Sequence, residues 1–296
     1  MIDISNSITT LRFNCADRQD WLKDIAEMYE ALKCGDITDN VLLRFDGHDT
    51  AKIKPIHITS LACLIEAMAN PDKEIHLHRQ NDPVGEFLWT DLKFREYWAG
   101  GKNFVEASDN SIFNLWRLRN EEKEIVPIRV YDYFKKHYFL HKDLSSIKNS
   151  LDEAYYNVFD HADANGNAFS FIQYDEDRHI LYIAVCDFGK GIPTTVRAFK
   201  PDITTDVEAL QLAMQNRFTI KSQNHNSGMG LGNIMSACTE GDSLWIVSNH
   251  SRLIAKDGEI RCFANDFYFP GTALFYNLSL SKFEDEEIID NFELDL

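Results

Sequence analysis

The order of helix, strand and glycine patterns between residues 143 and 280 limits most strongly what this chain can fold into. The segment 143–162 has apolar residues on one helical stripe and predicts an amphipathic helix. Apolar runs further along predict strands at 168–174, 179–187, 243–249, 259–264 and 272–280, and helices are expected near 206–216 and 232–239. Because strands follow one another without a helix between each pair, the order favours an α/β (α+β) sandwich over a parallel doubly wound sheet.

The first ~80 residues predict a smaller α/β unit that precedes this segment. Helical spacing over 19–32 and 60–69 alternates with compact strands over 41–45 and 74–78. The aromatic-rich stretch from 82 to 120 is expected to pack the first unit against the second. The predicted organisation is a regulatory or docking domain over 1–140, a second domain over 141–283 and an acidic tail over 284–296.

Composition and charge exclude several classes of protein. Hydrophobic residues make up 44% and charged residues 26% of the 296, as in a folded soluble protein. No apolar run reaches the roughly 20 residues that span a bilayer, and the first residues lack a signal peptide's pattern, so we expect a cytoplasmic protein without a membrane partner. The formal net charge of −17 argues against nucleic acid, which binds clustered basic surfaces.

The predicted helix carries three polar residues at i, i+4 and i+8, Glu153, Asn157 and His161. This spacing places them on one face, at the rim of the apolar stripe. Asn157 offers a neutral oxygen to a hard cation such as Mg²⁺, and Glu153 can orient or deprotonate a water or hydroxyl. An ordinary polar helix flank would also give this pattern, and His161 is equally consistent with a capping or packing role.

The strand over 179–187 runs directly into Asp187-Phe-Gly189-Lys-Gly191. An aspartate at a strand end, followed by a tight glycine turn, can present its carboxylate into a cleft. A carboxylate accepts a hydrogen bond from an exocyclic amine such as that of adenine and discriminates against a carbonyl there.

A third motif, Gly228-Met229-Gly230-Leu231-Gly232, precedes a predicted helix. Alternate glycines let the backbone approach an anion closely, and the helix N-terminus adds free N–H groups and partial positive charge. The loop suits a polyphosphate, although its spacing matches neither a Walker A loop nor the dinucleotide fingerprint.

Taken in this order, the three motifs resemble those of the GHKL (Bergerat-fold) ATPase superfamily and its histidine-kinase-like ATPase domains. The resemblance covers 143–280, and Gly271-Thr272 before the last strand looks like the family's closing Gly-Thr element. It implies a two-layer sandwich with a mixed sheet that binds ATP and Mg²⁺. By the same resemblance, Asn157 binds the metal, Glu153 activates the attacking group, and Asp187 binds the adenine amine.

The resemblance also assigns the remaining parts of the nucleotide site. Gly189 and Gly191 shape its base end, and 192–227 forms a lid in which Lys221 lies near the phosphates. Further nucleotide contacts fall on Gly228, Met229, Gly230, Leu231, Gly232 and Thr272.

The first unit shows a weaker similarity, to STAS (anti-sigma antagonist) domains. It is carried by the strand over 41–45 and the following 54–67, with a degraded phospho-acceptor signature at His57-Ile-Thr59-Ser60. The similarity implies a docking role for a protein partner. Thr59 and Ser60 depart from the family's usual Asp-Ser phospho-acceptor, which argues against their phosphorylation.

Two functions of different classes remain open. One is Mg²⁺-dependent ATP hydrolysis or phosphoryl transfer to a partner, in the manner of serine/threonine-type anti-sigma kinases. The other is a nucleotide-gated interaction module with little or no turnover, and either protein could be a homodimer. A conventional histidine kinase is disfavoured, because only eleven residues separate His141 from Glu153. A metal hydrolase that uses the histidine pairs at 76/78 and 137/141 is a remote alternative.

Overall fold

Two β-sheets, of four and five strands, organise this computed structural model, which describes residues 1–13, 17–45, 49–215, 234, 238 and 240–285. The strands are β1 Ile2–Ser5, β2 Ile8–Arg12, β3 Asn40–Arg44, β4 Glu74–Leu77, β5 Ile112–Arg117, β6 Ala168–Asp175, β7 Ile180–Asp187, β8 Ser243–Lys256 and β9 Glu259–Ser279. The helices are α1 Arg18–Cys34, α2 Pro55–Met68, α3 Pro83–Thr90, α4 Phe94–Ala99, α5 Ile125–His137, α6 Ser145–Asn157, α7 Ile192–Phe199 and α8 Asp206–Ala213.

The four-stranded sheet has the order β1-β2-β3-β4 and is mixed. The β1–β2 pair is antiparallel, whereas β2, β3 and β4 run parallel because α1 and α2 provide the crossovers between them. Helix α2 begins at Pro55, five residues before the predicted start at 60. Proline suits the first helical turn, and the His57 ring accepts a hydrogen bond from the Lys54 backbone N–H there.

The five-stranded sheet has the order β5-β6-β7-β9-β8, and each of its pairings is antiparallel. The α+β class predicted from the sequence is therefore confirmed. Two details differ from the expectation. The mixed sheet is the N-terminal one, and the strands predicted at 259–264 and 272–280 form the single long strand β9, which bends at irregularities opposite residues 248–251 of β8.

The five-stranded sheet carries helices on both faces, so a further layer is added to the expected two-layer sandwich. One face packs on α1 and α2 in a core that includes Phe169, Cys186 and Phe275. The other face packs on α5, α6 and α8 in a second core. Strand β5 and helix α5 belong to this assembly although both precede residue 140, and the division of the chain into domains at that residue stays a prediction.

In the predicted helix over 143–162, the α-helical part α6 is followed by a π-helical turn, Val158–Ala162. The turn ends at Asp163, which has a left-handed φ of 52°. Among the helices described, none is long and apolar enough to cross a bilayer.

Candidate functional site

The alternation of side chains along the strands places Asp187, Ser248 and Thr272 on the same face of the five-stranded sheet as α6. Val185 and Leu274 lie two residues from Asp187 and Thr272 and belong to the core beneath α6. In the sheet register, Asp187 pairs with Thr272 and Ser248 also pairs with Thr272. Polar side chains of three adjacent strands therefore lie side by side at the level where β7 ends.

The Asp187 carboxyl group is enclosed by backbone donors. Its side chain is 3% exposed, and Oδ1 accepts a hydrogen bond of 2.9 Å from the Gly189 N–H. The Thr272 N–H also donates to it. Burial nevertheless raises the pKa of Asp187 to about 7, because the two hydrogen bonds only partly offset the loss of hydration. A carboxyl group in this setting can gain or lose a proton near neutral pH.

Two glycines make this close packing possible. A Cβ atom on Gly271, whose φ is +86°, would lie 2.2 Å from the Asp187 carbonyl oxygen and 2.5 Å from the Gly189 nitrogen. A Cβ atom on Gly189 would lie 2.1 Å from the Ala162 carbonyl oxygen. Only glycine lets the turn after β7 lie against both β9 and the end of the π-helical turn.

The helix that carries Glu153 and Asn157 contacts the turn after β7 through its π-helical end, Val158–Ala162. The Lys190 N–H donates a hydrogen bond of 2.6 Å to the carbonyl oxygen of Ala162. One to two turns earlier, the Asn157 Nδ2 donates to Glu153 Oε1 over 3.2 Å, and Glu153 is buried whereas Asn157 is half-buried. This hydrogen bond orients the amide and leaves its carbonyl oxygen as the group offered to a ligand.

Two further residues shape the site, and sequence reasoning missed both. Ser248 Oγ donates to the Gly271 carbonyl oxygen over 2.7 Å, accepts from the Ile192 N–H over 2.9 Å and lies 3.0 Å from Thr272 Oγ1. Asn249 is fully buried and fixes the start of α7, because its Oδ1 accepts from the backbone N–H and the hydroxyl of Thr194. The signal for both in the sequence was a strand, predicted over 243–249, that ends in two polar residues.

The predicted site residues thus divide into two groups. Contacts at one end of β7 join Asp187, Gly189 and Thr272, and Gly191 lies in the same turn. Glu153 and Asn157 contact each other on α6, whose π-helical continuation meets this turn at Ala162. Lys221 and the glycine motif at 228–232 lie outside the described residues. Of the predicted lid over 192–227, residues 192–215 are described and contain α7 and α8, which are joined by an ion pair between Arg197 and Asp206.

The other candidate residues have ordinary structural partners. Thr59 and Ser60 are fully buried in α2, and each hydroxyl donates to a carbonyl oxygen one turn earlier. His76 lies 3.5 Å from Glu74, and the His137 ring lies 4.7 Å from the Tyr133 ring, centroid to centroid, at an interplanar angle of 45°. Within the described part of the chain, no group of three or more His, Cys, Asp or Glu side chains could hold a metal ion.

No family model and no curated protein matches this sequence. The function is therefore inferred from the residues and from the geometry given above.

Proposed function

We propose that this protein binds ATP with Mg²⁺ and either hydrolyses it or transfers its γ-phosphate to a hydroxyl group of a protein partner. The observation that carries the proposal is the junction at one end of the five-stranded sheet. There the Asp187-Phe-Gly turn contacts both Gly271-Thr272 and the end of the helix that bears Glu153 and Asn157. Three segments that are far apart in sequence therefore meet at Ala162, the Asp187 turn and Gly271, and this meeting supports the proposal.

Asp187 fits the adenine end of such a site. Its carboxyl group is buried at a strand end and accepts hydrogen bonds from the Gly189 N–H, over 2.9 Å, and from the Thr272 N–H. The exocyclic amine of adenine would donate to the remaining acceptor capacity of this group, whereas guanine would present a carbonyl oxygen there. We therefore expect ATP to bind more tightly than GTP.

Glu153 and Asn157 fit the metal and reaction end. The carbonyl oxygen of Asn157 would be one protein ligand of Mg²⁺, which retains waters and takes its other ligands from phosphate groups. The metal would neutralise charge on the phosphates. The Glu153 carboxylate, held in place by its hydrogen bond to Asn157, would accept the proton of the attacking water or hydroxyl.

The phosphate contacts are proposed from the sequence pattern, since Lys221 and 228–232 lie outside the described residues. The glycine motif would cradle the phosphates through its backbone N–H groups. The partner is proposed to dock on the N-terminal unit, as the similarity to STAS domains implies. A cytoplasmic location is proposed as well, because the described cysteines are free thiols, which suit a reducing compartment.

A second candidate function, a nucleotide-gated interaction module, is supported by the hydrogen bonds of Ser248. This one hydroxyl connects the first residue of α7 to Gly271, which packs directly on the Asp187 turn. A ligand that shifted the turn would therefore displace the start of α7. In that case binding would change a surface without requiring turnover.

The proposal is tested by measuring ATP turnover in the presence of Mg²⁺ and ATP binding by calorimetry. In Glu153→Gln, the acceptor for Asn157 remains but the base is lost, so turnover should fall by roughly 10²- to 10⁴-fold while binding is retained. In Asp187→Asn, the acceptor facing the adenine amine is partly replaced by a donor, so ATP binding should be lost.

Two carboxylates provide matched controls. Asp152 precedes Glu153 on α6 and pairs with Lys148, and Asp242 is a buried aspartate that accepts from the Ser279 N–H at the other end of the sheet. Asp152→Asn and Asp242→Asn should retain both ATP turnover and ATP binding. ATP binding without turnover in the wild type would favour the gated module, and absence of ATP binding in the wild type would overturn both candidates.

A further inference from the structure

A cavity of about 290 Å³ lies between the N-terminal ends of α1 and α2 and the face of the five-stranded sheet opposite to α6. Four basic side chains line it from the helical side, and polar and aromatic side chains line it from β7, β8 and β9. The lining residues are Asp17, Arg18, Lys52, Lys54, His57, Tyr182, Ser243, Phe275 and Asn277.

Two cations of this cavity, Arg18 and Lys54, lie over aromatic rings. The Arg18 guanidinium lies 5.2 Å from the centroid of the Trp245 ring and 5.0 Å from that of Phe275. The Lys54 Nζ lies 4.8 Å from the centroid of the Tyr182 ring. Among the ion pairs of the described residues, none involves Arg18, Lys52 or Lys54.

Burying these cations costs the unliganded protein free energy, because their charged forms lose hydration. Desolvation lowers the pKa of the Arg18 guanidinium, and Asp17 offsets this only in part. Desolvation likewise lowers the pKa of the Lys54 ammonium, and Asp175 opposes the effect. The Asp17 carboxylate accepts from the Gln19 and Asp20 N–H groups as the cap of α1, which directs part of its charge to the helix end.

The surrounding dipoles add to the positive potential. Helices α1 and α2 are 17 and 14 residues long, and both begin at the cavity, where a helix carries partial positive charge. On the sheet side, Ser243 donates its hydroxyl hydrogen to Asn277 Oδ1, which fixes the amide and leaves its N–H groups as donors. The cavity therefore combines cations and neutral donors around a small volume.

We propose that this cavity binds a compact anion that carries a phosphoryl group. The volume lies at the small end of ligand pockets and suits a phosphate, a pyrophosphate or a small phosphorylated compound better than a nucleotide. A multiply charged anion would supply the counter-charge for Arg18, Lys52 and Lys54. Tyr182 and Asp187 are five residues apart on β7 and point to opposite faces, about 17 Å apart along the strand, so this site is separate from the proposed ATP site.

The test is a calorimetric titration with inorganic pyrophosphate in the absence of Mg²⁺. Arg18→Gln and Lys54→Gln should each weaken binding by about tenfold or more, since each removes one charge-assisted contact. Arg95→Gln and Lys33→Gln are matched controls, because these cations lie over the rings of Trp89 and Tyr29 outside the cavity, and binding should be unchanged in both. Equal affinity in all five proteins would overturn the proposal, as would succinate binding more tightly than pyrophosphate.

Two further measurements separate ligand binding from a structural role. Without ligand, Arg18→Gln should melt at the wild-type temperature or above, because it removes a desolvated charge, whereas a structural cation would leave a less stable protein. Pyrophosphate should also protect Lys52 and Lys54 from reductive methylation, read by mass spectrometry with Lys33 as internal reference. Unchanged labelling of Lys54 in saturating pyrophosphate would refute the site. The variant Asp187→Asn should bind pyrophosphate as the wild type does, even if it no longer binds ATP.

Discussion

At the scale of single residues, Asp187 joins the chemistry of the site to the stability of the fold. Its carboxyl group is buried at the end of β7, where the backbone N–H groups of Gly189 and Thr272 compensate in part for the lost hydration. A group in this position favours the protonated form until a ligand donates a further hydrogen bond to it. The residue that is proposed to recognise adenine is therefore one that the unliganded protein holds at an energetic cost.

We predict that Asp187 makes the protein less stable as the pH rises from 5 to 8. Its pKa is about 7 in the folded protein and 3.8 for a fully hydrated aspartate, so between these values the folded state binds more protons than the unfolded state. The stabilising effect of the proton is complete below about pH 4 and is lost as the pH rises through the folded-state pKa. Asp187→Asn remains neutral at every pH. Relative to this variant, the unfolding free energy of the wild type should fall by roughly 3 kcal/mol between pH 5 and 8.

Urea unfolding of both proteins at several pH values measures this difference, and other titrating groups cancel in the comparison. A difference in unfolding free energy that is constant with pH, or that rises with pH, would show that Asp187 is not held in the way described.

Gly271 gives a second residue-scale prediction. Gly271→Ala should destabilise the protein by about 3 kcal/mol or more, because the new Cβ would meet the Asp187 carbonyl and the Gly189 nitrogen in addition to the strain of a positive φ. Gly258→Ala is the matched control. Its φ is +80°, no atom of the described residues lies within 4 Å of the new Cβ, and the substitution should cost only about 1–2 kcal/mol. Thermal unfolding of the two variants compares them, and equal losses would contradict the crowding around Asp187.

At the scale of elements, the start of α7 is fixed by side chains from the middle of β8 rather than by a cap of its own. The residue at the N-cap position, Gly191, has no side chain that could cap the helix. Instead, Asn249 accepts from Thr194 and donates to the Lys190 carbonyl oxygen over 3.2 Å and to the Tyr268 hydroxyl over 3.0 Å. One buried amide thus determines where the glycine turn ends and the helix begins.

We predict that Asn249→Ala releases the first turn of α7. Several buried hydrogen bonds are lost at once, so the unfolding free energy should fall by about 2–3 kcal/mol, and proteolytic cleavage should appear within 190–199. Ser251→Ala, which removes one buried hydrogen bond from Ser251 Oγ to the Ser248 carbonyl oxygen, should cost about 1 kcal/mol and leave α7 protected. Limited proteolysis followed by mass spectrometry distinguishes the two, and identical cleavage patterns would exclude the role given to Asn249.

At the scale of the whole molecule, α2 connects the two sheets. Twelve of its fourteen residues are buried, as expected for a helix that is covered on all sides. The backbone of α2 also bonds to the segment before β6, since Asn167 Nδ2 donates to the Cys63 carbonyl oxygen over 3.0 Å. The Cys63 thiol in turn donates to the carbonyl oxygen of Cys186 on β7 over 3.3 Å. The N-terminal unit and the proposed ATP-binding unit therefore share one apolar core.

This shared core predicts that a cavity in α2 weakens both sheets together. Leu64→Ala, at a fully buried position, should lower the unfolding free energy by about 2–5 kcal/mol. Hydrogen exchange should quicken in β3 and β7 alike. Leu140→Ala, at a position that is 65% exposed, should change neither the unfolding free energy nor the hydrogen exchange of β3 and β7. Retained protection in β7 with loss in β3 would mean that the two units unfold independently.

The amino-acid sequence by itself determined the local structure and predicted the types of chemistry proposed for the site. The periodicity of apolar residues predicted the fold class and most helices and strands. A repeat of 3.6 residues for a helix or 2 for a strand is a property of the chain alone. The sequence also predicted Glu153, Asn157 and Asp187 as site residues from their types and spacing, and Thr272 from the family resemblance.

Only the tertiary structure decided which surfaces meet. The junction of the Asp187 turn with Gly271 and Ala162, the burial that raises the pKa of Asp187, and the role of Asn249 all depend on contacts between distant segments. The second helical layer, and the cavity beside Arg18 that it encloses, likewise arise from packing α1 and α2 on the sheet. Local periodicity specifies the apolar face of a strand or helix but not the partner that covers it, because many partners bury the same area equally well.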